Sequence, residues 1–160
     1  MPHITIEYAM LVPVLILQIF LFPLAANWFM NVWVDSRRTL AIQEVASHLG
    51  STLQQVYFSL NHETISVGSV MQKPDVPTYI ENSPYTGTAT LRTVLDPALN
   101  SSKILDITLK LENLGGNVTT SVILGRNVLW KPSVFRSNSV NASIVAEKLA
   151  NGTISLAFSG

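Results

Sequence analysis

The stretch EYAMLVPVLILQIFLFPLAANWFMNVWVD, residues 7–35, decides how this chain is read. Between Glu7 and Asp35 it holds no charged side chain. About 20 consecutive apolar residues suffice for a helix to cross the hydrocarbon core of a bilayer, so Tyr8 to Met30 reads first as a membrane-compatible helix. A secretory signal would have an apolar region of only about 7–15 residues behind a lysine or arginine. Residues 1–7, Met-Pro-His-Ile-Thr-Ile-Glu, carry neither basic type. The expectation is that a basic leader has been removed or lies outside the sequence. Pro13 and Pro23 each delete a backbone hydrogen bond and would weaken a helix in water. In lipid or in a packed bundle, neighbouring helices satisfy the freed carbonyls. Trp28, Trp33, Asn27 and Asn31 close the stretch with amphipathic rings and amides suited to a headgroup level.

Helical spacing continues beyond Asp35. Leu40, Ile42, Val45, Ala46, Leu49, Leu53, Val56, Tyr57 and Leu60 recur mainly at three- and four-residue steps and predict one apolar face. Arg38, Gln43, Glu44, Ser47, Ser51, Gln54 and Gln55 fill the rest. Gly50 interrupts this half at a cost of about 1 kcal/mol relative to alanine. The pattern therefore predicts one helix from about Ile4 to Leu60, on the order of 80 Å long. It has an apolar half, 4–34, and an amphipathic half, 35–60.

After Asn61-His62 the period changes to two. Thr64–Val70 and Thr88–Leu95 read as half-buried strands around the proline-containing loop Lys73–Pro84. Ile104–Glu112 is the clearest strand, with Leu105, Ile107, Leu109 and Leu111 alternating against Asp106, Thr108, Lys110 and Glu112. The turn Asn113-Leu-Gly-Gly-Asn117 joins it to Val118–Leu124 as a hairpin. Pro132 makes Asn127–Phe135 an edge strand or a loop; Ser143–Leu149 reads as a strand or a short helix, with strand favoured, and Thr153–Phe158 is the terminal strand. The fold class is α+β: a long hydrophobic N-terminal helix (domain 1–62) followed by a small antiparallel β-sandwich-like domain (63–160).

Composition narrows the function classes. Charged residues make up 12% of the 160 and the formal net charge is zero, which disfavours nucleic-acid binding. Cysteine is absent, which removes disulfides, thiolate nucleophiles and thiolate metal ligands together. His3, His48 and His62 are isolated, and no zinc-protease, paired-cysteine or phosphate-loop pattern occurs. Asp75, Glu81, Asp96, Asp106 and Glu112 are scattered over loops and strands. Phe20, Phe22, Trp28, Phe29 and Trp33 suit apolar packing better than a cofactor stack. The expectation is a protein without catalytic residues, cofactor or metal.

Glu7 is the costly residue, a carboxylate at the head of an apolar helix. On one reading it reaches the aqueous interface and favours the helix N-terminus. On the other it pairs with the N-terminal amine of a neighbouring copy and penalises wrong stagger, because an unpaired buried charge is expensive. Ile4-Thr5-Ile6-Glu7, followed by Tyr8-Ala9-Met10-Leu11-Val12-Pro13, resembles the start of type IV pilins and, with its proline, of Tad-type pseudopilins. The β-rich remainder is similar to archaeal pilins in general layout. That resemblance implies cleavage of a basic leader by a prepilin peptidase, a glutamate at the fifth mature position that guides assembly, and packing of identical subunits into a filament. Counting back from Glu7, the fifth-position rule puts the mature start at His3. Either the glutamate is displaced by two residues, or Met1-Pro2 is the remnant of another start.

Four Asn-x-Ser/Thr sequons, at Asn100, Asn117, Asn141 and Asn151, all lie beyond the helix and are candidate N-glycosylation sites or ordinary turn asparagines. The sequence thus points to an extracellular filament subunit, archaeal in type, inserted in the membrane before assembly, with Glu7, Pro13 and Pro23 as assembly residues. Its partners are copies of itself and the pilus assembly machinery. The alternatives are a single-span minor pseudopilin or assembly factor, or an anchored adhesin. Arg37 and Arg38 would pull the C-terminal side into the cytoplasm by the positive-inside tendency, against an outer β domain. A removed basic leader resolves that conflict.

Overall fold

The structure, a computed structural model, describes residues 3–94 and 102–160, with only the backbone described for residues 3–8. They fall into two compact units, one ending at Arg37 and one running Arg38–Gly160. Helix α1 spans His3–Asn61 and contributes to both. Among the described residues eight strands follow: β1 Gly68–Gln72, β2 Tyr85–Thr93, β3 Lys103–Leu111, β4 Asn117–Leu124, β5 Val128–Trp130, β6 Val134–Arg136, β7 Ser143–Lys148 and β8 Ile154–Ser159. They form two four-stranded sheets, in the orders β1-β7-β8-β5 and β4-β3-β2-β6. The fold is α+β.

Period-two alternation sets the inner faces. In β3, Leu105, Ile107, Leu109 and Leu111 are fully buried while Asp106, Thr108 and Lys110 face outward. The hairpin of β3 and β4 forms in the expected place, with Leu109 opposite Val118 and Leu105 opposite Val122. Its turn has Gly115 and Gly116 at φ 68° and 91°, values that glycine adopts without a Cβ clash. From the other sheet Ile144, Ala146, Ile154, Leu156 and Phe158 enter the same core. Phe135 joins the two faces, stacked 6.2 Å from Tyr85 and edge-on at 5.6 Å to Phe158. Burial pushes the Tyr85 hydroxyl well above the usual phenol range, and that hydroxyl donates to the carbonyl of Pro77 at 2.7 Å.

Three expectations are corrected. The first strand starts at Gly68 rather than Thr64, because residues 62–65 close the helix: the Ile65 amide donates to the His62 carbonyl, and the His62 ring meets the Thr64 hydroxyl at 2.8 Å. Asn127–Phe135 is neither one edge strand nor a loop but two three-residue strands in different sheets, β5 and β6. Pro132 lies where the chain passes between them, a place that needs no backbone donor. The domain is also not wholly antiparallel, since β5 runs parallel to β8.

Candidate functional surface

The amphipathic half of α1 is built into the β domain. Ile42, Val45, Ala46, Leu49, Leu53, Val56, Tyr57 and Leu60 are all buried, at 5% exposure or less. Each such side chain contributes about 1.5–3 kcal/mol on burial, alanine less. Leu40, expected on that face, is exposed instead. At about 100° per residue it stands about 200° from Ile42, on the far side of the helix.

The helix follows β4. A Cβ at Gly50 would come within 2.7 Å of the Val122 Cγ2, and one at Gly116 within 3.5 Å of Ile42. Gly50, which local propensity marks as a weak point, is the position at which helix and sheet approach too closely for any side chain. Gln54 donates its side-chain amide to the Ile123 carbonyl at 3.2 Å and so satisfies an acceptor on the outer edge of β4. The end of the helix is tied by Asn127. Its side-chain oxygen accepts from the Tyr57 hydroxyl at 2.6 Å, and its amide nitrogen donates to the Asn61 side chain and to the Gly152 carbonyl at 2.8 and 2.9 Å. Gly125 leaves room for the Tyr57 ring. Lys148 donates to the carbonyls of His62 and Ile65 and so ties the turn that follows the helix to β7.

Nearer the start of the second unit, Arg38 pairs with Glu81 at 2.9 Å. Glu81 and Asn82 are the centre of a tight turn in which Ile80 and Ser83 exchange both backbone hydrogen bonds. Their φ values, 49° and 61°, are left-handed, as a two-residue hairpin turn requires. Asparagine tolerates this region and glutamate does so poorly, so Glu81 sits there at a cost.

The first unit is different in kind. Every side chain from Ala9 to Trp33 is exposed, among them Met10, Phe20, Phe22, Leu24, Trp28 and Phe29 at 61–77%. By length and composition α1 is able to cross a membrane. Pro13 and Pro23 both lie inside the continuous helix. Trp28 meets Phe29 edge-on at 5.0 Å, and the Arg37 guanidinium lies over the Trp33 ring at 5.1 Å, a cation–π contact. Glu7 is within the helix, and its side chain lies outside the described residues.

Of the four sequons, Asn117, Asn141 and Asn151 are exposed, at the start of β4, just before β7 and in the turn before β8. Asn100 lies outside the described residues. The Asn151 side-chain oxygen accepts from the Thr153 amide at 3.0 Å, a local turn. Among the described residues no three His, Asp or Glu side chains gather as a metal site would require. Asp106 is held below the usual carboxylate range by hydrogen bonds from Arg92 and Ser121, on the outer face of the second sheet. Comparison with protein-family models, curated proteins and solved structures returned no match.

The structure therefore holds a long apolar helix followed by a β-sheet domain, an order of elements compatible with a pilin-like or a membrane-anchored protein. Sequence reasoning missed Asn127, Lys148 and the role of Gly50. Neither polar residue carries a periodic signal. The one clue to Gly50 was its place on the apolar side, flanked by Leu49 and Leu53.

Proposed function

We propose that the chain is the structural subunit of an extracellular type IV-like filament, archaeal in type, in which the apolar stretches of identical copies pack together and the β domain meets the surroundings. One observation carries this reading: an uncharged, wholly exposed helical stretch, Ala9–Trp33, runs on without a break into a half whose apolar face is already committed to the β domain. An anchor needs only about 20 residues. A helix that runs past anchor length and uses its second half to dock the outer domain suits a filament subunit. So much exposed apolar surface requires a cover, and self-association or lipid supplies it. On this reading the membrane holds the subunit first, a prepilin peptidase trims it, and the pilus assembly machinery stacks it. Glu7 then sets the stagger against a neighbour's amine, Pro13 and Pro23 shape the packed helix, and glycans on the exposed sequons solvate the outside.

The test is to shear surface filaments from cells and identify their main component by mass spectrometry. The expected result is this chain as the dominant species. Recovery from membranes alone, in minor amount, favours the second reading, a single-span minor pseudopilin, assembly factor or adhesin, for which the same helix is long enough. Glu7→Gln is expected to leave the chain in the membrane while reducing filament yield; undiminished filaments would remove the register role.

A further inference from the structure

One cleft in the β domain is not used by the helix. It measures about 310 Å³ and lies between two loops, the one from Lys73 to Thr78 after β1 and the one from Ser137 to Ala142 after β6. This is the lower end of the range for small-molecule sites, roughly 300–1,000 Å³. Its floor is apolar and buried, formed by Phe135, Pro74 and Ala142. Its rim is mixed, with the polar residues Lys73, Thr78, Asn138 and Ser139 beside Val76 and the exposed Val140. Among the described residues no carboxylate lines it.

Both walls are fixed from below by Tyr85. Its hydroxyl holds the Pro77 carbonyl in one loop at 2.7 Å. Its amide donates to the Ser137 hydroxyl in the other at 2.9 Å, and its carbonyl accepts from the Ser137 amide at 3.0 Å. The second loop is braced further, since the Ser139 amide donates to the Arg136 carbonyl and the Ala142 amide to the Ser139 carbonyl. A cleft whose walls are tied to one buried ring keeps its shape without a ligand, so little ordering cost falls on binding.

We infer that this cleft binds an acidic saccharide unit, a pyranose bearing a carboxylate. The chemistry of the lining selects that class. A sugar ring presents C–H groups on its faces and hydroxyls around its edge, which matches an apolar floor under a rim of hydroxyls and a side-chain amide. A flat aromatic ligand would use the apolar floor alone and leave the mostly exposed rim groups to water, gaining no hydrogen bonds from them. A cationic ligand would meet Lys73 as the one charged residue among the described lining, with Asp75 in the same loop but outside the lining. A carboxylate on the ring has Lys73 to meet it. The volume admits one or two rings, so the ligand is a terminal residue or short end of a glycan. The inference rests on the reading of the β domain as the part that meets other surfaces.

The experiment uses the full chain in micelles of a detergent without a sugar headgroup, expressed without N-glycans so that Asn141, beside the cleft, is bare. Glucuronic acid, N-acetylneuraminic acid, glucose and galactose are titrated in turn while amide and methyl NMR shifts are followed. The expected result is saturable shift changes confined to residues 73–78 and 137–142, stronger for the two acids. Lys73→Gln is expected to weaken the acids by about three-fold and leave the neutral sugars unchanged, as for an exposed charge pair. Asn138→Ala is expected to weaken all four. Absence of saturable shifts in these loops, or an equal loss for acidic and neutral sugars in Lys73→Gln, overturns the inference. Because the chains are unassembled, such a result counts against the cleft alone and leaves the filament reading to its own test.

Discussion

Gly50→Ala sets two well-known effects against each other. In an exposed helix, replacing glycine by alanine stabilises by about 1 kcal/mol, because glycine has more backbone freedom to lose. Here the new Cβ would stand 2.7 Å from the Val122 Cγ2. Carbon atoms sit best about 3.5–4.0 Å apart, so the pair overlaps by about 1 Å. Val122 is only 7% exposed, and branching at its Cβ restricts χ1, so the methyl has little room to turn aside. Overpacking of this size costs about 1–3 kcal/mol, which exceeds the helix-propensity gain. The expected net effect is destabilisation by about 1 kcal/mol. Chemical unfolding of the full chain in micelles, followed by near-ultraviolet circular dichroism, measures it. Val122→Ala alone is expected to cost about 2 kcal/mol by loss of buried methyls. In the double variant the alanine at 50 finds space, so the two costs should fall short of additive by about 1 kcal/mol or more. A Gly50→Ala variant more stable than the parent, or costs that simply add, would refute close packing of α1 on β4.

Asn127→Ala removes one acceptor and two donors at the helix end and takes away the acceptor of the Tyr57 hydroxyl; the expected cost is about 2–3 kcal/mol in the same assay, against about 1 kcal/mol for Tyr57→Phe. Glu81→Ala loses the Arg38 pair while keeping a left-handed Cβ, and is expected to destabilise slightly; Glu81→Gly loses the pair and the strain together, and is expected to recover about 1 kcal/mol relative to alanine. Asp106 has a folded pKa below its unfolded value, so its contribution is present above the ordinary carboxylate range and is lost as pH falls through the lowered folded value. Arg92 is more than half exposed, so the effect should stay under about 1 kcal/mol, shrink in salt, and be absent from an Asp106→Asn acid titration.

The fold was legible wherever a period was carried by enough residues. The apolar stretch from Tyr8 and the face from Ile42 to Leu60 gave the helix to within a residue at each end, and strict alternation from Leu105 to Leu111 gave β3. Short strands gave less, because three residues are too few to show alternation. For that reason β5 and β6 read as one uncertain segment, and their assignment to different sheets was invisible. Parallel pairing of β5 with β8 is a tertiary choice with no local mark. For the candidate surface, the absence of charge between Glu7 and Asp35 was plain in the residues themselves. The ties that hold α1 to the domain were not, since Tyr57 and Asn127 meet across a separation of 70 residues.

Strand β8 has a consequence for how the domain is made. Although last of the eight in chain order, it lies inside its sheet, between β7 and β5. The buried face of α1 leaves the ribosome long before it, and no earlier strand substitutes for Ile154, Leu156 and Phe158 in the core. A nascent chain therefore carries the Ile42–Leu60 face of α1 without its complete cover until translation has passed Phe158. Contacts of such sequence separation close late and slowly. Loss of only the residues after Gly152 would strand β5 and β7 without the neighbour they share, leaving a subunit whose helix could still enter a bilayer but whose outer domain could not close.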